Sequence, residues 1–125
     1  MKVINGIITF NKDDAPVLVD TLAFAHRAFF DAVTDPINVK EASENPEYKK
    51  KMLNSIERLF ALDGILEDIR AQGGWPKDSK FAPMNVILRN SLPEEILKSP
   101  ETFLECALQV VYRNEQKKQD SEKKE

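Results

Sequence analysis

Two long segments with apolar residues at helical spacing constrain the fold more than any other feature of the sequence. The first follows residues 13–16, where acidic residues and a proline favour a helix start, and it ends before Pro36. The second extends from about Glu47 to Gln72 and continues past Gly64. We therefore expect two long helices. The predicted core stripe of the first consists of Leu18, Leu22, Ala25, Phe29 and Val33.

Two shorter segments have the composition of strands. Residues 2–10 are rich in isoleucine and valine, and apolar and polar residues alternate from Met84 to Leu88. The first segment contains Asn5 and Gly6, a dipeptide typical of tight hairpin turns. A turn there would leave arms of only three or four residues, too short to be stable alone. We therefore predict one bent strand that pairs with the second segment.

The end of the chain predicts a third helix and a charged tail. Ser99, Pro100 and Glu101 form a helix start, and the helix is expected to end near Lys117. Residues 35–46 are polar and acidic and are predicted to form a loop. We expect one globular domain over residues 1–117 and a frayed or disordered tail over 118–125. The predicted fold is α+β and predominantly α-helical, with three main helices and a short two-stranded sheet; an all-α bundle is the alternative.

Charge and cysteine content disfavour several classes of protein. The 125 residues carry a net charge of −3, and the basic clusters have no aromatic residues among them for base stacking, so nucleic acids and anionic membranes are poor partners. The single cysteine, Cys106, cannot form an intramolecular disulfide, which favours a reducing compartment. No run approaches the roughly 20 apolar residues of a membrane span. We expect a cytoplasmic protein.

The sequence offers few catalytic groups. It contains one histidine, His26, and no glycine-rich phosphate loop or Gly-x-Ser-x-Gly motif. His26 lies in the apolar stripe of the first helix, where a core histidine bonded to a carbonyl or an acid is favoured over a ligand-binding or pH-sensitive contact. Asp63 and Glu67 have the spacing for a metal-dependent nucleotide hydrolase, but solvated charge explains them as well. We predict no catalytic residue, metal or cofactor.

Aromatic and arginine side chains supply the binding candidates. Trp75 lies between a glycine and a proline in a loop that also carries Phe81, and Phe24 and Val17 widen the apolar surface of the first helix. These four residues form the predicted interaction surface, although Trp75 could instead fold over the core. A second alternative is a small anionic ligand held at a dimer interface. The arginines considered for it are Arg27, Arg89 and Arg113.

These observations together favour a non-enzymatic protein-interaction module, such as a regulator, an inhibitor or an antitoxin-like binder. Its negative charge would accelerate association with a basic protein partner. Its spare apolar helix surface also predicts a homodimer. The metal-dependent hydrolase and the anion-binding protein remain the two alternatives.

Overall fold

Helices make up most of the molecule, and a two-stranded antiparallel sheet lies at the start of the chain. The computed structural model describes residues 1–123. The predicted predominantly helical α+β class is confirmed. The elements are β1 (Lys2–Ile4), β2 (Ile7–Thr9), α1 (Ala15–Thr34), α2 (Pro36–Glu44), α3 (Pro46–Ala71), α4 (Pro83–Val86), a 3₁₀ turn (Leu88–Asn90) and α5 (Pro100–Lys123).

Helix α2 occupies a segment predicted as a loop, and that prediction is wrong. The Asp35 side chain accepts hydrogen bonds from the amides of Ile37 and Asn38, and Pro36 takes the first helical position. Proline is tolerated at this position because the amide that it lacks would be unpaired in the first turn of a helix. Asp35 therefore both ends α1 and begins α2. Asn45 caps α3 in the same way, ahead of Pro46.

The sheet is a hairpin within residues 2–9, so the predicted pairing of this segment with residues 84–88 is wrong. Its register places Val3 opposite Ile8 and Ile4 opposite Ile7. Asn5 and Gly6 have φ values of 51° and 80°, and two successive left-handed residues are what a two-residue turn of type I′ requires. Residues 84–88 instead contribute to α4 and the 3₁₀ turn.

The four longer helices of the described residues enclose the main core, and a smaller second cluster lies between α1, α3 and the segment around α4. The second cluster is formed by Val19, Leu66 and Ile87, with Trp75 packed against it. The main core consists of Val33, Val39, Ala42, Met52, Ile56, Leu59, Leu88, Phe103, Leu104 and Val111. The most buried residues of α1 are Val19, Ala23, His26 and Val33. The stripe is therefore turned relative to the predicted one, and His26 lies in it as expected.

Helices α3 and α5 are both continuous. Helix α3 passes through Gly64 without a break, as predicted; a Cβ added there would lie 3.4 Å from Nη2 of Arg89. Helix α5 continues to Lys123, six residues beyond its predicted end, and so includes most of the predicted tail. Residues 124 and 125 lie outside the described residues. Within residues 1–123, no helix has the length and apolar character needed to cross a membrane.

Candidate functional site

A buried hydrogen bond between a histidine and an aspartate joins α1 and α3. Nε2 of His26 on α1 lies 2.8 Å from Oδ1 of Asp63 on α3, and each side chain is only 3% exposed. Of the predicted outcomes for His26, a histidine bonded to an acid is the one found. The partner is 37 positions away, and no sequence spacing indicates it.

The contacts of Asp63 indicate which nitrogen of His26 donates to it. The Leu88 amide donates to Oδ1 at 2.6 Å, and Nε of Arg89 lies 3.4 Å from Oδ2. A carboxylate can only accept hydrogen bonds. Nε2 of His26 is therefore the donor, and Nδ1 remains available for another partner. Gly64 leaves room for the Arg89 guanidinium beside the helix.

His26 also lines an open cleft of about 480 Å³. This volume lies within the range of small-molecule sites. Polar and charged groups on its wall come from α1 and from the segment that follows α3. The lining residues are His26, Arg27, Phe30, Asp31, Lys80, Phe81, Ala82, Asn85, Val86, Leu88 and Ser91.

The loop that forms one wall of the cleft is tied to α1. The Ser79 hydroxyl lies 2.6 Å from Oδ1 of Asp20, and the Lys80 amide donates to the same oxygen at 3.3 Å. The indole N–H of Trp75 donates to the carbonyl of Phe81 at 2.9 Å. These bonds hold the wall in place before any ligand is present. Asp20 and Ser79 were not candidates at the sequence level because their partners are about 60 positions apart.

The four residues of the predicted interaction surface fall into two groups. Val17 and Phe24 lie on one exposed face of α1, at 70% and 67% exposure. Trp75 and Phe81 are half-buried: Trp75 covers the second cluster, and Phe81 lines the cleft. The structure therefore does not bring the four together on one surface.

The arginine and carboxylate candidates also separate. Arg27 lines the cleft and Arg89 contacts Asp63, whereas Arg113 lies on the exposed part of α5. Both oxygens of Glu67 accept hydrogen bonds from Arg70, at 2.6 and 2.8 Å, which hold the pKa of that carboxyl below its ordinary value. Asp63 thus contacts His26 and Arg89, whereas Glu67 contacts Arg70. Among residues 1–123, no group of three or more potential ligands is placed to hold a metal ion.

The hairpin is the most exposed apolar element of the described chain. None of its residues belongs to the main core or the second cluster, and its strands contact each other far more than any helix. Paired residues of an antiparallel sheet point to the same side. Alternation therefore places Met1, Val3, Ile8 and Phe10 on one side, which we call the apolar face of the hairpin. These four side chains are 45–67% exposed.

Sequence reasoning missed this face because it rejected the hairpin, although Asn5 and Gly6 were the signal for it. The hairpin and the cleft are thus two features of the described residues that are open to solvent. One offers apolar side chains and free strand edges, and the other offers charged groups around a buried histidine. Comparison with protein-family models, with curated proteins and with solved structures found no match.

Proposed function

We propose that this chain is a non-enzymatic protein-interaction module that forms a homodimer through its N-terminal hairpin. The observation that carries the proposal is the apolar face of the hairpin, which no helix within residues 1–123 covers. A two-stranded hairpin alone is marginally stable in water and needs its hydrophobic face packed against another element. A second copy covers this face when the two apolar faces pack together.

The geometry of the hairpin suits pairing with itself. The apolar faces of two such hairpins can pack against each other, as the inner faces of two stacked sheets do. Two hairpins related by a twofold axis would then bury Met1, Val3, Ile8 and Phe10 of each copy between them. In such a dimer the same surface of each copy meets its counterpart, as in most homodimers.

Charge argues against a basic partner at the hairpin. Residues 1–12 contain Lys2 and Lys12 and no acidic residue, which gives this segment a charge of +2. Because the whole chain carries −3, the remaining residues carry −5. A basic partner would therefore meet like charge at the hairpin, and the acidic surface that could attract it lies elsewhere on the chain.

The energetic balance makes the dimer sensitive to single substitutions. The apolar face of the hairpin gives four open side chains in each copy. At about 2 kcal/mol for complete burial of one such side chain, four half-exposed ones contribute on the order of 4 kcal/mol per copy. Association itself costs roughly 4–15 kcal/mol. The surfaces of both copies are therefore needed, and one buried charge is enough to dissociate them.

Sedimentation equilibrium of the full chain tests the proposal. The wild-type chain is expected to sediment with twice its 14.3 kDa mass. Ile8→Lys places a charge on the apolar face and is expected to weaken the dimer at least about a hundredfold. Ile7→Lys, the same substitution on the opposite side of the same strand, is the matched control and should dimerise normally. A monomeric wild-type chain, or equal dissociation by both variants, contradicts the proposal.

A further inference from the structure

We propose that the cleft beside His26 binds a small organic anion, a carboxylate attached to an apolar or aromatic body. This inference goes beyond the proposed dimerisation and uses none of the hairpin residues. It rests on the charges around the cleft, on the free nitrogen of His26 and on the fixed wall opposite α1.

The charge of the cleft is opposite to that of the chain. Arg27 and Lys80 contribute two positive charges to the lining, and Asp31 contributes one negative charge. The buried charge of Asp63 is already matched by His26 and Arg89. In a chain with a net charge of −3, the cleft is therefore a locally positive surface. A single carboxylate suits this balance, since a cationic ligand would have to approach two cations.

His26 supplies a polar atom that has no other partner. In the described part of the chain, no hydrogen bond involves its Nδ1, and no buried side-chain nitrogen or oxygen lacks a partner. Nδ1 must therefore reach the solvent of the cleft that His26 lines. When the ring carries both protons, Nε2 donates to Asp63 and Nδ1 donates to an anion in the cleft.

The remaining lining selects the rest of the ligand. Phe30, Phe81, Val86 and Leu88 provide an apolar surface next to the charged groups. Small-molecule sites typically combine such a surface with a few fixed polar groups. The bonds from Asp20 to the loop and from Trp75 to Phe81 hold this wall in position, so that little ordering is needed on binding.

Fluorescence of Trp75, the only tryptophan, provides a direct assay because its indole is bonded to a residue of the cleft. The probes are phenylacetate, the neutral 2-phenylethanol and the cationic 2-phenylethylamine, which share the same aromatic body. Phenylacetate is expected to produce a saturable change. The other two probes should bind at least about tenfold more weakly, since each lacks the charge-assisted hydrogen bonds to Arg27 and His26.

Variants of the two lining cations test where the anion binds. Arg27→Gln and Lys80→Gln should each weaken phenylacetate binding by about fivefold or more, a moderate loss because both side chains are solvent-exposed. Lys77→Gln, in the same loop but outside the lining, is the matched control and should bind normally. Circular dichroism verifies the fold of each variant. The inference is overturned if phenylacetate does not saturate, if the amine or alcohol binds as tightly, or if all three variants bind alike.

Discussion

Replacing Asp63 with alanine is the most direct test of the buried pair, and we expect a large loss of stability. The substitution removes the acceptor for Nε2 of His26 and for the Leu88 amide, both enclosed in the protein. A buried donor left without a partner costs about 1–3 kcal/mol. Two such donors, with the small cavity added, give an expected loss of about 3–5 kcal/mol.

Two other substitutions in α3 show whether this loss of stability is specific to the buried hydrogen bonds of Asp63. Asp63→Asn keeps an oxygen in reach of His26 and Leu88 but loses the attraction of Arg89, whose side chain is 53% exposed. A loss of about 1–2 kcal/mol is expected for it. Asp68→Ala, an exposed aspartate on the same helix, should change stability by less than about 0.5 kcal/mol.

Urea denaturation followed by circular dichroism measures these differences if the slope of the transition is unchanged. A small domain has a total stability of about 5–15 kcal/mol, so the alanine variant should be partly unfolded or shifted to a much lower midpoint. A loss below about 1 kcal/mol for Asp63→Ala would refute the assigned hydrogen bonds, because two enclosed donors cannot both lose their acceptor at so small a cost.

Two further substitutions have expected outcomes of opposite sign. Gly64→Ala should stabilise the chain by up to about 1 kcal/mol, because alanine favours helix and the added Cβ meets only the flexible end of Arg89 at 3.4 Å. A higher urea midpoint is the expected result. A lower midpoint would mean that the guanidinium cannot move. Trp75→Phe should cost about 1 kcal/mol of stability, because it removes the hydrogen bond to the Phe81 carbonyl. Hydrogen exchange of the amides of residues 79–82 should accelerate. Unchanged exchange would show that other contacts hold the loop.

The helices could be predicted because their signals are local. Apolar spacing, prolines and capping residues lie within one or two turns of the structure that they specify, and α1, α3 and α5 were expected on these grounds. Helix α2 was missed because Pro36 was interpreted only as the end of α1. The same proline begins a new helix once Asp35 caps it, and that second role depends on a side-chain hydrogen bond that composition alone does not indicate.

The hairpin and the cleft show two different limits of sequence reasoning. The turn at Asn5 and Gly6 was rejected because short arms are unstable alone. That argument holds for an isolated hairpin, whereas in this chain both residues adopt the left-handed conformation of the turn and the arms pair. The cleft depends on contacts such as His26 with Asp63 and Asp20 with Ser79, whose members are 37 and 59 positions apart. No local periodicity encodes such pairs.

Leu88 makes one wall of the cleft difficult to move. Its side chain lines the cavity, while its amide completes the shell of a carboxylate that is shielded from water. Moving this wall outward would break the charge-assisted hydrogen bond from the Leu88 amide to Asp63, and this buried carboxylate has no solvent contact that could replace it. The wall of the cleft is therefore rigid at this point, and a ligand of the proposed kind would have to fit its existing shape.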